Sequence, residues 1–236
     1  MKKLIHILPI VCLVFSACKK AVIPPNEDCI NQTTNPVDNS YFEGDVKTIN
    51  YSGNHCGLLP LNSGNYWIYE DSIFDNSGNL KTVQLDTLSY TKTIRTPDNL
   101  IWWEGNKNVG LPNQVYSSNT AIYGLQRGFF IADSFYSKKE FYEVEKDSAS
   151  YYSAFGDIFA VGKVVRKSEL IQTNLGAFTN YILFEKYAPG YRRDRVYFAP
   201  GFGVIKYTSE YYNPPGPPSK MFLQIKSTLV GFHSQN

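Results

Sequence analysis

Three of the six arginines in the chain fall close together, at Arg192, Arg193 and Arg195. Clustered guanidinium groups suit phosphate or carboxylate partners, because each presents a planar fork of donors. The competing reading is a solvated hairpin tip: Pro189-Gly190 signals a turn just before them, and charge there resists edge aggregation. A second candidate is the pair Trp102-Trp103. Adjacent residues on a strand point to opposite faces. Either one indole is core and the other is open to stack on a sugar or contact an acyl chain, or both are buried in a two-layer structure. Glu104 beside them is the carboxylate to consider for a glycosidase pair, and otherwise a strand-end residue.

Nucleophilic catalysis lacks its base. Beyond residue 17 the histidines are His55 and His233. A Ser-His-Asp arrangement needs an oriented imidazole, and His233 lies close to the terminus. There is no Gly-x-Ser-x-Gly elbow. Pro200-Gly201-Phe202-Gly203 is glycine-rich, but neither a lysine nor a helix start follows it, so it reads as a hairpin turn and not a phosphate loop. Cys29 and Cys56 admit three readings. A disulfide is the simplest in an oxidising compartment, closing a loop of 28 residues and contributing roughly 3.5 kcal/mol. Two free thiols are the second. A metal site with His55 is the third, but adjacent His and Cys splay poorly around one tetrahedral ion and a fourth ligand is missing. No metal and no cofactor is expected.

The N-terminus supplies an address. Lys2 and Lys3 form a positive n-region, Leu4 to Phe15 an apolar run, and Ser16-Ala17 the small residues before a cut. That run is too short to cross a hydrocarbon core, which needs about 20 residues. Cys18 follows directly, and Phe15-Ser16-Ala17-Cys18 resembles the lipobox of bacterial lipoproteins, with Phe15 where Leu is usual. The resemblance implies that Cys18 carries a diacylglyceryl anchor of palmitate-type chains, and it implies the outer membrane. Lys19-Lys20 differ from the inner-membrane retention Asp, and no acidic run marks surface export, so the periplasm-facing leaflet is expected. Ordinary secretion with an incidental Cys18 is the alternative.

Removing residues 1–17 deletes two lysines and no acid, leaving 21 basic against 21 acidic residues. Without a basic excess, no nucleic-acid partner is expected. Eighteen Tyr and fifteen Phe with low charge favour strands over helices.

The elements that must position these residues read as strand after strand. Residues 18–42, rich in Pro, Asn and Thr, read as a tether; residues 43–236 read as one antiparallel β domain. Residues 44–52 are a first strand. Residues 65–94 form a long hairpin around 75–79, with Gly78 free to take positive φ. Residues 106–160 show no clear pattern, and 137–147 fit a strand or two turns of helix. The stretches 162–173 and 178–187, then 195–199 and 204–212, read as hairpins. In the last strand Met221, Leu223, Ile225 and Leu229 alternate with Gln224, Lys226 and Thr228. About ten strands and no strongly amphipathic helix are expected. An up-and-down meander forming a curved sheet, half-barrel or barrel is favoured, with a β-sandwich as the alternative.

The stretch LLPLNSGNYWIYEDSIFDNSG resembles the opening hairpin of uncharacterised Bacteroidota outer-membrane lipoproteins, and TNLGAFTNYILFEK with YFAPGFGVIKY resembles their closing strands. The pattern is more weakly similar to the LolA/LolB half-barrels that carry lipids or lipoproteins. Asp71-Ser72-Ile73, Asp86-Thr87-Leu88 and Asp147-Ser148-Ala149 resemble sites that Bacteroidota O-glycosylate, making Ser72, Thr87 and Ser148 candidates. The expected protein is thus a cell-envelope lipoprotein, held to a membrane by its anchor and non-enzymatic. It would bind a lipid, glycan or peptide. The first alternative is an assembly component that binds another envelope protein through a sheet edge; the second is an enzyme such as a glycosidase.

Overall fold

The computed structural model describes Ile30, Gln32 and residues 34–37, 41–43, 46–51, 53–127, 135–143, 150–155, 158–215 and 220–234. Among these residues every regular element is a strand. They are β1 (Tyr41–Glu43), β2 (Lys47–Ile49), β3 (Tyr66–Phe74), β4 (Leu80–Arg95), β5 (Ile101–Gly105), β6 (Gln114–Ser117), β7 (Ala121–Arg127) and β8 (Phe135–Glu143). There follow β9 (Ser150–Phe155), β10 (Ile158–Lys167), β11 (Ile171–Thr173), β12 (Gly176–Phe178), β13 (Tyr181–Ala188), β14 (Arg192–Ala199), β15 (Gly203–Asn213) and β16 (Lys220–His233).

The sheet runs β1-β8-β7-β6-β5-β4-β3-β16-β15-β14-β13-β10-β9, with β2 added on β4 and β11–β12 as a separate small hairpin. Most neighbours in the sheet are neighbours in the chain, which is the expected meander. The long-range closure is β16 on β3, where Ser227 faces Asp71 and Leu229 faces Tyr69. A single antiparallel sheet curls into a half-barrel, and the sandwich does not form. Bulges at Tyr197/Phe198, Ser209/Glu210 and Leu229/Gly231 bend the strands and raise their local twist.

Curling brings distant strands into one core. Trp67 and Tyr69 of β3, Trp103 of β5, Val164 of β10, Phe184 of β13, Phe198 of β14 and Tyr207 of β15 share one buried cluster. Each fully buried large apolar side chain contributes about 1.5–3 kcal/mol. Polar tips are satisfied within it: Trp67 Nε1 donates to Phe202 O at 2.6 Å and Tyr69 OH to Val204 O at 2.8 Å. A second cluster lies around Ile94, Trp102, Tyr116, Ala121, Tyr123 and Leu125, with Val46 packed against it.

Several sequence expectations need correction. Described residues within the stretch read as tether, 18–42, are bonded to the sheet. Gln32 Nε2 donates to Ser117 O at 3.1 Å, Tyr116 OH donates to Thr34 O, and Tyr41–Glu43 pairs with β8. Amide and backbone hydrogen bonds hold these residues to the sheet, without the apolar burial that hydropathy registers. Among the described residues of the strand expected over 44–52, Lys47–Ile49 is strand, and the described part of the ambiguous 137–147 stretch belongs to strand β8. The hairpin from 65 to 94 forms as expected, its turn tied by Asp75 Oδ1, which accepts from Ser77 N and Asn79 N.

Candidate functional site

The inside of the half-barrel is occupied by the chain itself. The β5–β6 loop, residues 106–113, crosses it and delivers Val109 and Leu111 to the core. At Gly110 φ is +86°, and a Cβ there would lie 2.3 Å from Val196 Cγ2 and 2.8 Å from Tyr207 Cδ2. Only glycine lets the loop sit so close to β14 and β15. Asn106 fastens the start of the loop to β4: its Oδ1 accepts from Ser89 N at 2.8 Å and its Nδ2 donates to Thr87 O at 3.1 Å.

Lys107 from this loop bonds both Asp71 of β3 and Asp86 of β4, the latter at 2.8 Å. Asp71 and Lys107 are buried, while Asp86 is about half exposed. Burial opposes the Lys107 charge, but the two carboxylates outweigh it and raise its pKa. The Lys107 hydrogen bond in turn holds the Asp86 carboxyl below the usual range. These two carboxylates are a cation's counter-charges. With its pKa lowered, the Asp86 carboxyl is not tuned as the protonated acid that glycoside hydrolysis requires.

The candidate ligand residues are placed differently from expectation. Trp102 and Trp103 do point to opposite faces, but both are fully buried, because each face of β5 is covered by its own cluster. Neither indole is open to stack on a sugar. Arg192, Arg193 and Arg195 lie in strand β14, not in the turn, and each is matched by an acid. Arg193 Nε donates to Glu210 Oε2 at 2.6 Å and Arg195 Nε to Glu185 Oε2 at 2.8 Å, forming a ladder across β13, β14 and β15. Arg192 turns to the other face and binds Asp194 through two bonds of 2.8 Å. It lies 4.8 Å from the ring centres of Phe155 and of Tyr211. This is a neutralised, sandwiched pair, not an anion cradle. Glu104 accepts from Lys92 and from Gln114.

His55 is a core residue. Trp103 Nε1 donates to its Nδ1 at 3.0 Å, so Nδ1 is the unprotonated nitrogen, and Gln32 Nε2 lies 3.0 Å from the same atom. Nε2–H then faces Tyr51 OH at 2.9 Å. Burial pushes the imidazole pKa down to about 4. Both nitrogens are engaged, which leaves neither for the metal reading with Cys29 and Cys56. Cys56 is disulfide-bonded; Cys29 lies outside the described residues, as do Cys18 and Ser148. Ile30 forms a parallel bridge with His55, next to Cys56. Ser72 is half-buried and Thr87 exposed. His233 stacks on Tyr66 with ring centres 4.9 Å apart.

Two open surfaces stand out among the described residues. One is a pocket of about 500 Å³ at the lip, lined by Ile73, Phe74, Tyr211, Tyr212, Gln224 and Ile225 among others. The other is the outer part of β4. From Leu80 to Thr87 every residue is exposed, with Leu80 at 57%, Val83 at 51% and Leu85 at 70%. This stretch pairs with β3 on one side, while β5 begins pairing only at Tyr90. Among the described residues no strand covers the other side, so a proline-free strand edge that exposes Leu80, Val83 and Leu85 faces solvent. Sequence reasoning missed both Lys107 and this edge. Alternation in residues 80–94 announces a strand but not where its neighbour stops.

No family model matches the chain, and no curated protein matches it. Two crystal structures resemble it. One is of a candidate lipoprotein from Parabacteroides distasonis ATCC 8503, 14% identical, with a TM-score of 0.36 over 75% of this chain and 99% of that one. The other is of a candidate exported protein with a YmcC-like fold from Bacteroides fragilis NCTC 9343, 12% identical, with a TM-score of 0.38 over 76% of this chain and 100% of that one.

Proposed function

We propose that the protein is a cell-envelope lipoprotein that works by docking, not catalysis: an extended polypeptide strand adds to the open edge of β4. The observation that carries this reading is the exposed run from Leu80 to Thr87, whose free edge no strand covers among the described residues. Strand addition draws affinity from main-chain hydrogen bonds and selectivity from alternate side chains. The filled interior supports the same choice, because Val109, Leu111 and the aromatic core occupy the space a carried lipid would need. Cys18 anchors the chain to the periplasmic leaflet of the outer membrane, and Cys29 bonds Cys56 to pin the start of the domain.

The test compares proteins co-purified with wild type and with Leu85→Pro from detergent-solubilised membranes. The proline removes an amide that faces the open edge and leaves the β3 pairing intact. Loss of a stoichiometric partner from Leu85→Pro supports docking. Identical partner sets refute it. The lip pocket favours a second reading, a small lipid or glycan held by Phe74, Tyr211 and Tyr212. Native mass spectrometry of gently purified protein tests it through the mass of any bound species.

A further inference from the structure

We propose that the outer face of the sheet carries a binding site for a phosphate group, formed by Lys206 and Lys226 around the hydroxyl of Thr208. It is independent of strand docking at β4. Strand register brings the three residues together. Tyr207 lies in the core, so its neighbours Lys206 and Thr208 project from the opposite face of β15. Thr208 pairs with Arg195 on one side and with Lys226 on the other. Lys206, one row along, pairs with Tyr197 and Thr228. Paired residues share a face, and their diagonal neighbours lie about 7–8 Å apart. Lys206 is diagonal to both Arg195 and Lys226, and the flexible lysine stems bring both ammoniums within reach of one small anion.

The lysines differ from the arginines beside them. Arg193 and Arg195 are neutralised by Glu210 and Glu185. Lys206 and Lys226 are half-buried, and neither forms an ion pair among the described residues. Lys206 Nζ instead lies 5.0 Å from the centre of the Tyr197 ring. Glu70, the next acid along the row, is paired with Thr228, exposed, and bonded to neither lysine. Burial, with the charges of Lys226 and Arg195, holds the Lys206 pKa below the usual lysine value. An anion between the two ammoniums relieves that repulsion. Thr208 supplies the second, independent sign of a ligand. It is 8% exposed, and its Oγ1 is buried with no hydrogen-bond partner. Such a hydroxyl carries a desolvation cost that one hydrogen bond removes. Its neighbours across the ladder and along β15 are long side chains, and a swing of the lysine stems toward an anion uncovers it. A phosphate monoester brings roughly two negative charges on three strong acceptor oxygens. Two unneutralised ammoniums and one free hydroxyl match it in charge and in donors. A carboxylate brings half the charge, and the arginine forks that suit it are already taken.

The test is an NMR titration of the mature chain carrying Cys18→Ser with inorganic phosphate, chloride being withdrawn to hold ionic strength constant. The amides of Lys206, Thr208 and Lys226 should shift to saturation, and half-saturation with acetate should lie roughly tenfold higher. The double variant Lys206→Met/Lys226→Met should raise the phosphate value roughly tenfold or more, with the spectrum elsewhere unchanged. Thr208→Val should raise it roughly threefold and leave the fold at least as stable, since the hydroxyl it removes has no partner. Lys92→Gln removes a lysine outside the cluster and should match wild type. Shifts that stay linear, or that phosphate and acetate produce alike, overturn the site, as does a double variant that saturates like wild type. Flotation with vesicles containing phosphatidic acid, against phosphatidylcholine alone, separates the sources of the group. Vesicle binding that the double variant loses supports the site and assigns it to a lipid headgroup. Saturation by phosphate without vesicle binding supports the site and assigns it to a soluble phosphate ester.

Discussion

Acidification from pH 7 to pH 5 should remove about 2 kcal/mol of stability through His55 alone. The folded imidazole titrates at about 4 and the unfolded one at about 6.5. Between these values the unfolded chain binds a proton that the folded chain refuses, so stability rises with pH across this window. The contribution is complete above pH 6.5 and is lost as pH falls toward 4. The full span is worth about 3 kcal/mol, with a slope near 1.2 kcal/mol per pH unit at mid-window. The cause is structural: protonating Nδ1 would set it against the Trp103 Nε1–H that it now accepts. The assay is urea unfolding at pH 7, 6 and 5, for wild type and His55→Asn. The asparagine oxygen keeps an acceptor for Trp103 but does not titrate. At a slope of about 2–3 kcal/mol/M, the wild-type midpoint should fall by roughly 0.8 M more than that of the variant. Taking the difference removes the carboxylates, which titrate in both proteins. Parallel losses in the two would refute the reasoning.

Lys107→Met should cost about 3 kcal/mol, because Asp71 is left buried without its cation. Adding Asp71→Asn should restore more than half of that loss, read by the same urea midpoints; a double variant no better than the single one contradicts the ion-pair account. Gly110→Ala should cost about 2–3 kcal/mol, given φ of +86° and the 2.3 Å approach to Val196. Calorimetry should show Tm lowered by roughly 4–10 °C. Cys18→Ser should move the protein from the membrane fraction to the soluble periplasmic fraction, and unchanged partitioning would show that another element anchors it.

Local pattern carried part of this fold. The alternation of Trp67 and Tyr69 with Ile68 and Glu70, and the turn glycine at 78, announced β3 and β4 because both signals lie within one hairpin. Gly201 and Gly203 announced the β14–β15 turn for the same reason. Residues 106–113 were opaque because their partners are remote. Nothing near Lys107 in sequence indicates Asp71, and nothing near Gly110 indicates Tyr207. Period-two logic sent Trp102 and Trp103 to opposite faces but could not show that the outer face is covered. Clustered arginines looked like a site because Glu185 and Glu210 reach them only through strand register. Gln32 and Thr34 fell within a stretch read as tether because hydropathy does not register residues held by amide and backbone hydrogen bonds.

The most direct test of the open β4 edge is amide hydrogen exchange of Val83 and Leu85, compared with Gln84 and Asp86. In dilute, detergent-free protein the first pair should exchange at nearly unprotected rates, while the second pair, bonded to β3, should be protected. In the membrane-bound protein Val83 and Leu85 should become protected too. Equal protection of all four amides in the dilute protein would contradict the account, because the edge would then already be closed.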